Sequence, residues 1–225
     1  MKKVDFDDFA DDYGQIMAKQ LHFFAPGRDY FSEYKVRIVK KFLNHAPSTI
    51  LEFGCGIGAN IKYLLAYFPD SKISGCDVSA KSLSIASQKY PAVSFILFNA
   101  DKHSINHQFD LILVANVFHH IAPEQRPSTM LTLKNSLAPG GNLFIFEHNP
   151  YNPVTRHLVN TCPFDADAHL LRPKETASLL NKSGFTIIRK EFILFFPAAL
   201  QVLRPLEHYL GILPLGGQYV FQARV

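Results

Sequence analysis

Three glycines spaced by single residues, directly after a short apolar run, leave a chain few ways to fold. Residues 50–60 read Ile-Leu-Glu-Phe-Gly-Cys-Gly-Ile-Gly-Ala-Asn, and the run 49–53 reads as a buried strand that stops at Gly54, Gly56 and Gly58. From Asn60 the spacing turns helical, with Ile61, Leu64, Leu65 and Phe68 on one face. Strand, glycine turn and helix therefore follow one another without a gap. A Cβ in such a turn would block both the tight bend and the approach of a ligand to the backbone. The helix behind it presents free N–H groups and a partial positive charge, which suits an anionic, adenosine-containing guest.

Gly54-x-Gly56-x-x-Ala59 also satisfies the dinucleotide fingerprint of nicotinamide and flavin enzymes, so the glycines alone do not choose the ligand. Glu52 argues otherwise. A carboxylate at a strand end, two residues before the first glycine, is unusual in a dinucleotide site but can accept hydrogen bonds from an ammonium group. Glu52-Phe-Gly54-Cys55-Gly56-Ile-Gly58 resembles the E-x-G-x-G-x-G first motif of the class I S-adenosylmethionine-dependent methyltransferases.

The chain continues in the same pattern. Residues 72–76 form a second strand ending at Asp77, about twenty residues beyond the glycines, where an acid is placed to bind two ribose hydroxyls. Val78 follows, able to pack on an adenine ring, and Ser79 can cap a helix over residues 80–89. A third strand, 93–98, delivers Asp101. In the resembling family an acid here accepts from the adenine amino group; the alternative is a turn residue. The almost continuously apolar run 109–115 reads as a central strand covered on both faces. It leads into Asn116-Val117-Phe118-His119-His120, similar to the family's fourth motif, with Asn116 and Val117 lining the donor.

A helix over 127–137 precedes Ala138-Pro139-Gly140-Gly141-Asn142 and a strand at 143–147. The phrase Leu-x-Pro-Gly-Gly-x-Leu is a further mark of these methyltransferases. Residues 174–182 read as a helix closed by Ser183-Gly184; strands follow at 185–196 and 218–225. The resemblance covers about residues 28–225 and implies a Rossmann-like α/β fold. Its seven-stranded sheet is mostly parallel with an antiparallel last strand, and helices cover both faces. Residues 1–27 read as a cap carrying a short amphipathic helix, and the resemblance makes Tyr13 and Lys35 candidates for touching the donor's carboxylate; an ordinary lysine on a solvated face is the alternative.

Composition narrows the function classes. The 23 basic residues giving a net charge of +4 are spread along the chain, so nucleic acid is not indicated as a partner. Cys55, Cys76 and Cys162 leave one thiol unpaired in any disulfide scheme, which reads as a reducing compartment. The acidic N-terminal stretch lacks the apolar core of a signal peptide, so a cytoplasmic location is expected. The histidine spacings match no metal-ligand pattern, so no metal site is expected.

Transfer of a methyl group from a sulfonium needs mainly position and exclusion of water. The cofactor implied by the resemblance is S-adenosylmethionine, held by Glu52, Gly54, Cys55, Gly56, Gly58, Asp77, Val78, Asp101, Asn116 and Val117. If the acceptor is a hydroxyl, the expected default, His119 and His120 are the best-placed bases, against a structural role for both. An insert at 148–172 reads as a shaped loop forming the acceptor pocket, with His148, Tyr151, Arg156 and His169 as its polar side chains; ordinary surface turns are the alternative. Residues 197–217 are apolar and proline-broken. They read as a core helix pair at the sheet edge, or as a contact with a membrane surface or a lipid-linked acceptor. The rival readings are a nicotinamide-dependent oxidoreductase and a non-catalytic S-adenosylmethionine-binding protein.

Overall fold

The computed structural model describes residues 4–12, 14, 16, 30–99 and 105–225. Seven strands, β1 (Thr49–Phe53), β2 (Lys72–Asp77), β3 (Ser94–Leu97), β4 (Phe109–Ala115), β5 (Leu137–His148), β6 (Thr186–Ile193) and β7 (Gln218–Arg224), form one sheet. Their order is β3-β2-β1-β4-β5-β7-β6. The first five run parallel, and β7 lies antiparallel between β5 and β6. The helices are α1 (Tyr30–Phe42), α2 (Ile61–Tyr67), α3 (Ala80–Lys89), α4 (Arg126–Asn135), α5 (Pro153–Thr161), α6 (Pro173–Lys182) and the single turn α7 (Glu207–Leu210).

The period of two in β4 builds the core. Leu111 and Leu113 join one apolar cluster with Val39 and Phe42 of α1 and Leu64 of α2. Ile112 and Val114 join the other, with Met130 and Leu133 of α4 and Leu180 of α6. All four β4 residues are fully buried, each worth roughly 1.5–3 kcal/mol relative to exposure. Sandwiching the sheet in this way explains why β4 reads as an unbroken apolar run.

The sequence-predicted elements keep their order but shift at their edges. The fifth strand begins at Leu137, because the Pro139-Gly140-Gly141 excursion stays within it as a register irregularity: Phe109 pairs with Leu137, and Leu111 with Asn142. The sixth strand ends at Ile193, since Leu194 adopts a left-handed φ of 63°.

Two expected loop or core segments differ in kind. Within 148–172, residues 153–161 are helical. Asn152 accepts hydrogen bonds from the Val154 and Thr155 amides as N-cap, and Pro153 supplies the preset φ of the first helical position. Residues 197–217 are not a core helix pair. Ala198–Leu206 winds as 3₁₀ turns kinked at Leu200 and interrupted by Pro205, with no buried residue, and Val202 and Ile212 are 80% and 83% exposed. What ties the segment down is polar: the buried Glu207 accepts from the Phe195 and Phe196 amides and from the Tyr34 hydroxyl.

Candidate functional site

The carboxyl ends of β1, β2 and β4 open into one cavity of about 1070 Å³. Open α/β sheets bind ligands at this edge, where the crossovers diverge. The glycine turn forms its floor. Gly54, Gly56 and Gly58 all have positive φ, at 76°, 50° and 79°. A Cβ on Gly54 would overlap Val117 at the end of β4, whereas one on Gly56 would meet nothing within 4 Å. So Gly54 is needed for closure of β1 onto β4, and Gly56 leaves an open cradle.

Glu52 and Lys35 stand together beside that cradle, both buried and both lining the cavity. Burial pushes the Glu52 carboxyl up to about 8, opposed by its bond from Asn60 Nδ2 and by the charge of Lys35. Burial pulls the Lys35 ammonium down to about 8, opposed by Glu52 and Glu147. Glu52 Oε2 is buried with no hydrogen-bond partner, and so is Asn60 Oδ1. Buried polar atoms without partners call for one, and these two belong to residues that line the cavity.

At the far side of the turn, Asp77 accepts from the Gly56 amide (2.7 Å) and the Ser79 amide (2.9 Å). Burial raises its pKa. With the Val78 amide also bearing on it, the carboxylate keeps about one further lone-pair site. Val78 beside it is half exposed and lines the cavity, as does the buried Cys55, whose thiol is pushed up by burial. Asp101 and Tyr13 lie outside the described residues.

The N-terminal residues close over this end. Asp7 accepts from the Ser79 hydroxyl and the Lys81 amide, and Asp11 pairs with Lys81 at 2.7 Å. The Val4 amide reaches across to Asp167 (2.8 Å), and the edge of Phe6 packs on His120. The 3₁₀ turn Phe6–Phe9 thus straps one wall to the other.

The opposite wall is a charge cluster. Asn116, at the end of β4, takes a left-handed φ of 59° and accepts from Gln218 Nε2 of β7. Glu147 of β5 accepts from the Val117 and Phe118 amides with one oxygen and contacts His119 Nδ1 at 2.6 Å with the other. His119 Nε2 and His120 Nε2 lie 3.6 and 3.3 Å from the same Asp165 oxygen. Burial works against a charge on His119, but Glu147 and Asp165 outweigh it and raise its pKa to about 9. His119 therefore holds its proton at neutral pH and is not a free base. His148, its ring 5.0 Å from that of His119, is pushed down to about 3 by burial and by the His119 charge, so it is neutral.

Of the polar side chains expected for the acceptor pocket, only His148 lines the cavity. Helix α5 is the reason. It turns Val154, Thr155, Leu158 and Val159 inward, while Arg156 and His157 line a separate surface dent of about 290 Å³. Tyr151 is half exposed, and His169 is exposed with its amide bonded to the His119 carbonyl. Sequence reasoning missed Glu147, Asp165, Asn60 and Gln218. The Asn-Pro pair at 152–153 was an available signal for the helix; nothing local signals the meeting of His119 with residues 28 and 46 positions away.

Comparison with known proteins is consistent with this geometry. The family model described as Methyltransferase domain matches residues 51–143. A trans-aconitate 2-methyltransferase of Methylobacterium nodulans is 32% identical over 126 residues, which are 54% of this chain and 48% of that protein. An uncharacterized methyltransferase of Synechocystis sp. is 26% identical over 161 residues, 69% of this chain and 74% of that one. The match to a hybrid PKS-NRPS synthetase of Trichoderma harzianum, 27% identical, spans 59% of this chain and only 4% of that much longer protein. So the chain spans less than half the length of some relatives it resembles. In structure, a SAM dependent methyltransferase from Archaeoglobus fulgidus superposes with a TM-score of 0.71 at 14% identity, covering 95% of this chain and 100% of that one. A TehB-like SAM-dependent methyltransferase from Corynebacterium glutamicum gives 0.66 at 17% identity, covering 96% and 97%. At such identities these two establish the fold.

Proposed function

Because the chain carries the methyltransferase domain on the class I S-adenosylmethionine-dependent methyltransferase fold, we propose that it methylates a small, largely apolar acceptor using S-adenosylmethionine. One observation carries this reading: Glu52, its Oε2 unpartnered, lines the same cavity as the open glycine cradle and Asp77. The donor's ammonium suits Glu52, its carboxylate suits Lys35, and a ribose hydroxyl suits the remaining lone pair of Asp77. When bound, it supplies an electrophilic methyl group on sulfonium. The chain's own contribution is position and exclusion of water, made by the Val4–Phe9 strap and by the apolar side chains of α5.

Oxygen is the favoured acceptor atom. A hydroxyl must lose its proton; the unprotonated ring of His148 on the cavity wall can accept a hydrogen bond from it, but burial makes that imidazole a weak base, and His119 is already protonated. Leu194, Phe195 and Pro197 continue the cavity wall into the exposed apolar stretch 200–215, which supports an acceptor with an apolar or lipid-linked tail and a peripheral contact of that stretch with a membrane surface. Among the described residues no helix is long and apolar enough to cross a membrane. The nicotinamide reading is not favoured, since that fold keeps its sixth strand parallel in the order 3-2-1-4-5-6, and here an antiparallel β7 is inserted.

Calorimetric titration with S-adenosylmethionine, its demethylated product and NADH, alongside an Asp77→Ala variant, tests the reading. Binding of the first two, lost in the variant, is expected. Binding of NADH alone would overturn it.

A further inference from the structure

We propose that His119, His120 and Asp165 form a binding site for a divalent first-row transition cation on the acceptor side of the cavity. Histidine spacing along the chain pointed away from a metal, because the third ligand comes from a segment 45 residues downstream of His120. The fold brings the three together: one nitrogen each of His119 and His120 and a carboxylate oxygen of Asp165 all lie within 4.8 Å of one another. Four ligand atoms placed tetrahedrally about a cation at 2.0–2.2 Å stand roughly 3.4 Å apart. The two nitrogens are 3.6 and 3.3 Å from Asp165 Oδ1.

Two further observations mark this as a built site. Each imidazole has a carboxylate behind its other nitrogen: Glu147 at 2.6 Å from His119 Nδ1, and Asp167 at 3.7 Å from His120 Nδ1. Metal-bound histidines are oriented by such carboxylates, and ligation through Nε2 would displace the second proton of His119. Moreover, Asp167 Oδ1 and His120 Nδ1 are buried and facing, yet too far apart for a hydrogen bond.

Two nitrogens and one carboxylate oxygen choose zinc, cobalt, nickel, iron or manganese over magnesium or calcium, which favour all-oxygen shells. All three ligands line the cavity, so the remaining coordination position faces the acceptor. An acceptor oxygen taking that position would have its pKa lowered and its lone pair presented. This role rests on the methyl-transfer reading; the site itself does not.

The test is titration of the full chain, stripped of metal with a chelator, with Co²⁺, read by visible absorption and by calorimetry. One equivalent binding with the d–d spectrum of a low-symmetry site is expected. Asp165→Asn and His120→Gln each should remove saturable binding, and Glu147→Gln should weaken it about 10–100-fold. His157→Gln, on the outer face of α5, should change nothing. His120→Gln, on the less buried imidazole, guards against a local folding defect in Asp165→Asn. Failure of the wild-type chain to bind one equivalent, or equal affinity in the Asp165 and His120 variants, would overturn the proposal. Cobalt binding in a protein that takes up no S-adenosylmethionine would leave the site standing and sink only the methyl-transfer reading.

Discussion

Replacing Glu52 by Gln isolates the charge that the donor's ammonium is proposed to meet. The side chain is 1% exposed, one oxygen is engaged by Asn60, and the other has no partner. Glutamine keeps the shape and can still accept from Asn60 through its carbonyl. What it loses is an ionic hydrogen bond, worth about 1.5–3 kcal/mol, so affinity for S-adenosylmethionine should fall roughly 10- to 150-fold. A second signature separates this from simple disturbance of the cavity. Burial pushes the Glu52 carboxyl up to about 8, so in the free protein at neutral pH it is mostly protonated. Meeting a cation favours the ionised form, and binding should release up to about one proton. Calorimetry in buffers of differing ionisation enthalpy measures that release directly. The stability sign is the opposite of a salt bridge. Because the folded value lies above the unfolded one, Glu52 costs the empty protein nothing below about 4.5 and progressively more as pH rises through about 8. The Gln variant should therefore be at least as stable in mild alkali. Affinity unchanged within about threefold, or the same proton release in the variant, would refute the assignment.

Stability against pH should also show two histidines acting with opposite signs. With its folded pKa raised to about 9, His119 contributes stability that is complete below about 6.5 and disappears as pH rises through 9, on the order of 3 kcal/mol. His148, depressed to about 3, contributes stability present above 6.5 that is lost as pH falls. Thermal melts of the chelated protein should thus decline from neutral to mildly alkaline pH, where Glu52 and His119 act in the same direction, and a flat profile there would count against the Glu147–His119–Asp165 cluster. Tyr34→Phe removes the hydroxyl bonded at 2.7 Å to buried Glu207 and should cost about 1–3 kcal/mol. Hydrogen exchange should show the 195–210 segment loosening first, and equal protection in the variant would show that the segment is held by something else.

What could be read from the chain was whatever depends on neighbours in sequence. The β1-glycine-α2 unit announces itself because Gly54, Gly56 and Gly58 are local backbone requirements, and Ser79 caps α3 as its type suggests. Helix α5 escaped because Asn and Pro signal both loops and helix starts, and only the apolar face Val154-Leu158-Val159 decides between them. Residues 197–217 misled in the other direction. Their apolar content implied a core, yet Pro197, Pro205 and Pro214 prevent a helix long enough to bury it. Lys35 was legible as a candidate because the resemblance pointed to the region around it. Glu147 was not: it reads as an ordinary strand end, and its meaning comes from β4 and β5 lying side by side.

The insertion of β7 between β5 and β6 has a consequence for how the molecule is made. As the chain emerges from the ribosome, β1 to β5 can pair as they arrive, but β6 has no neighbour, since among the described residues the strand it pairs with is β7. Until β7 is synthesised, β5 presents an open edge and β6 a dangling strand with apolar Ile187, Phe192 and Ile193. Such edges template pairing with other chains. Nascent chains stalled after β6 should therefore engage chaperones strongly, and that engagement should vanish once Gln218–Arg224 has cleared the exit tunnel.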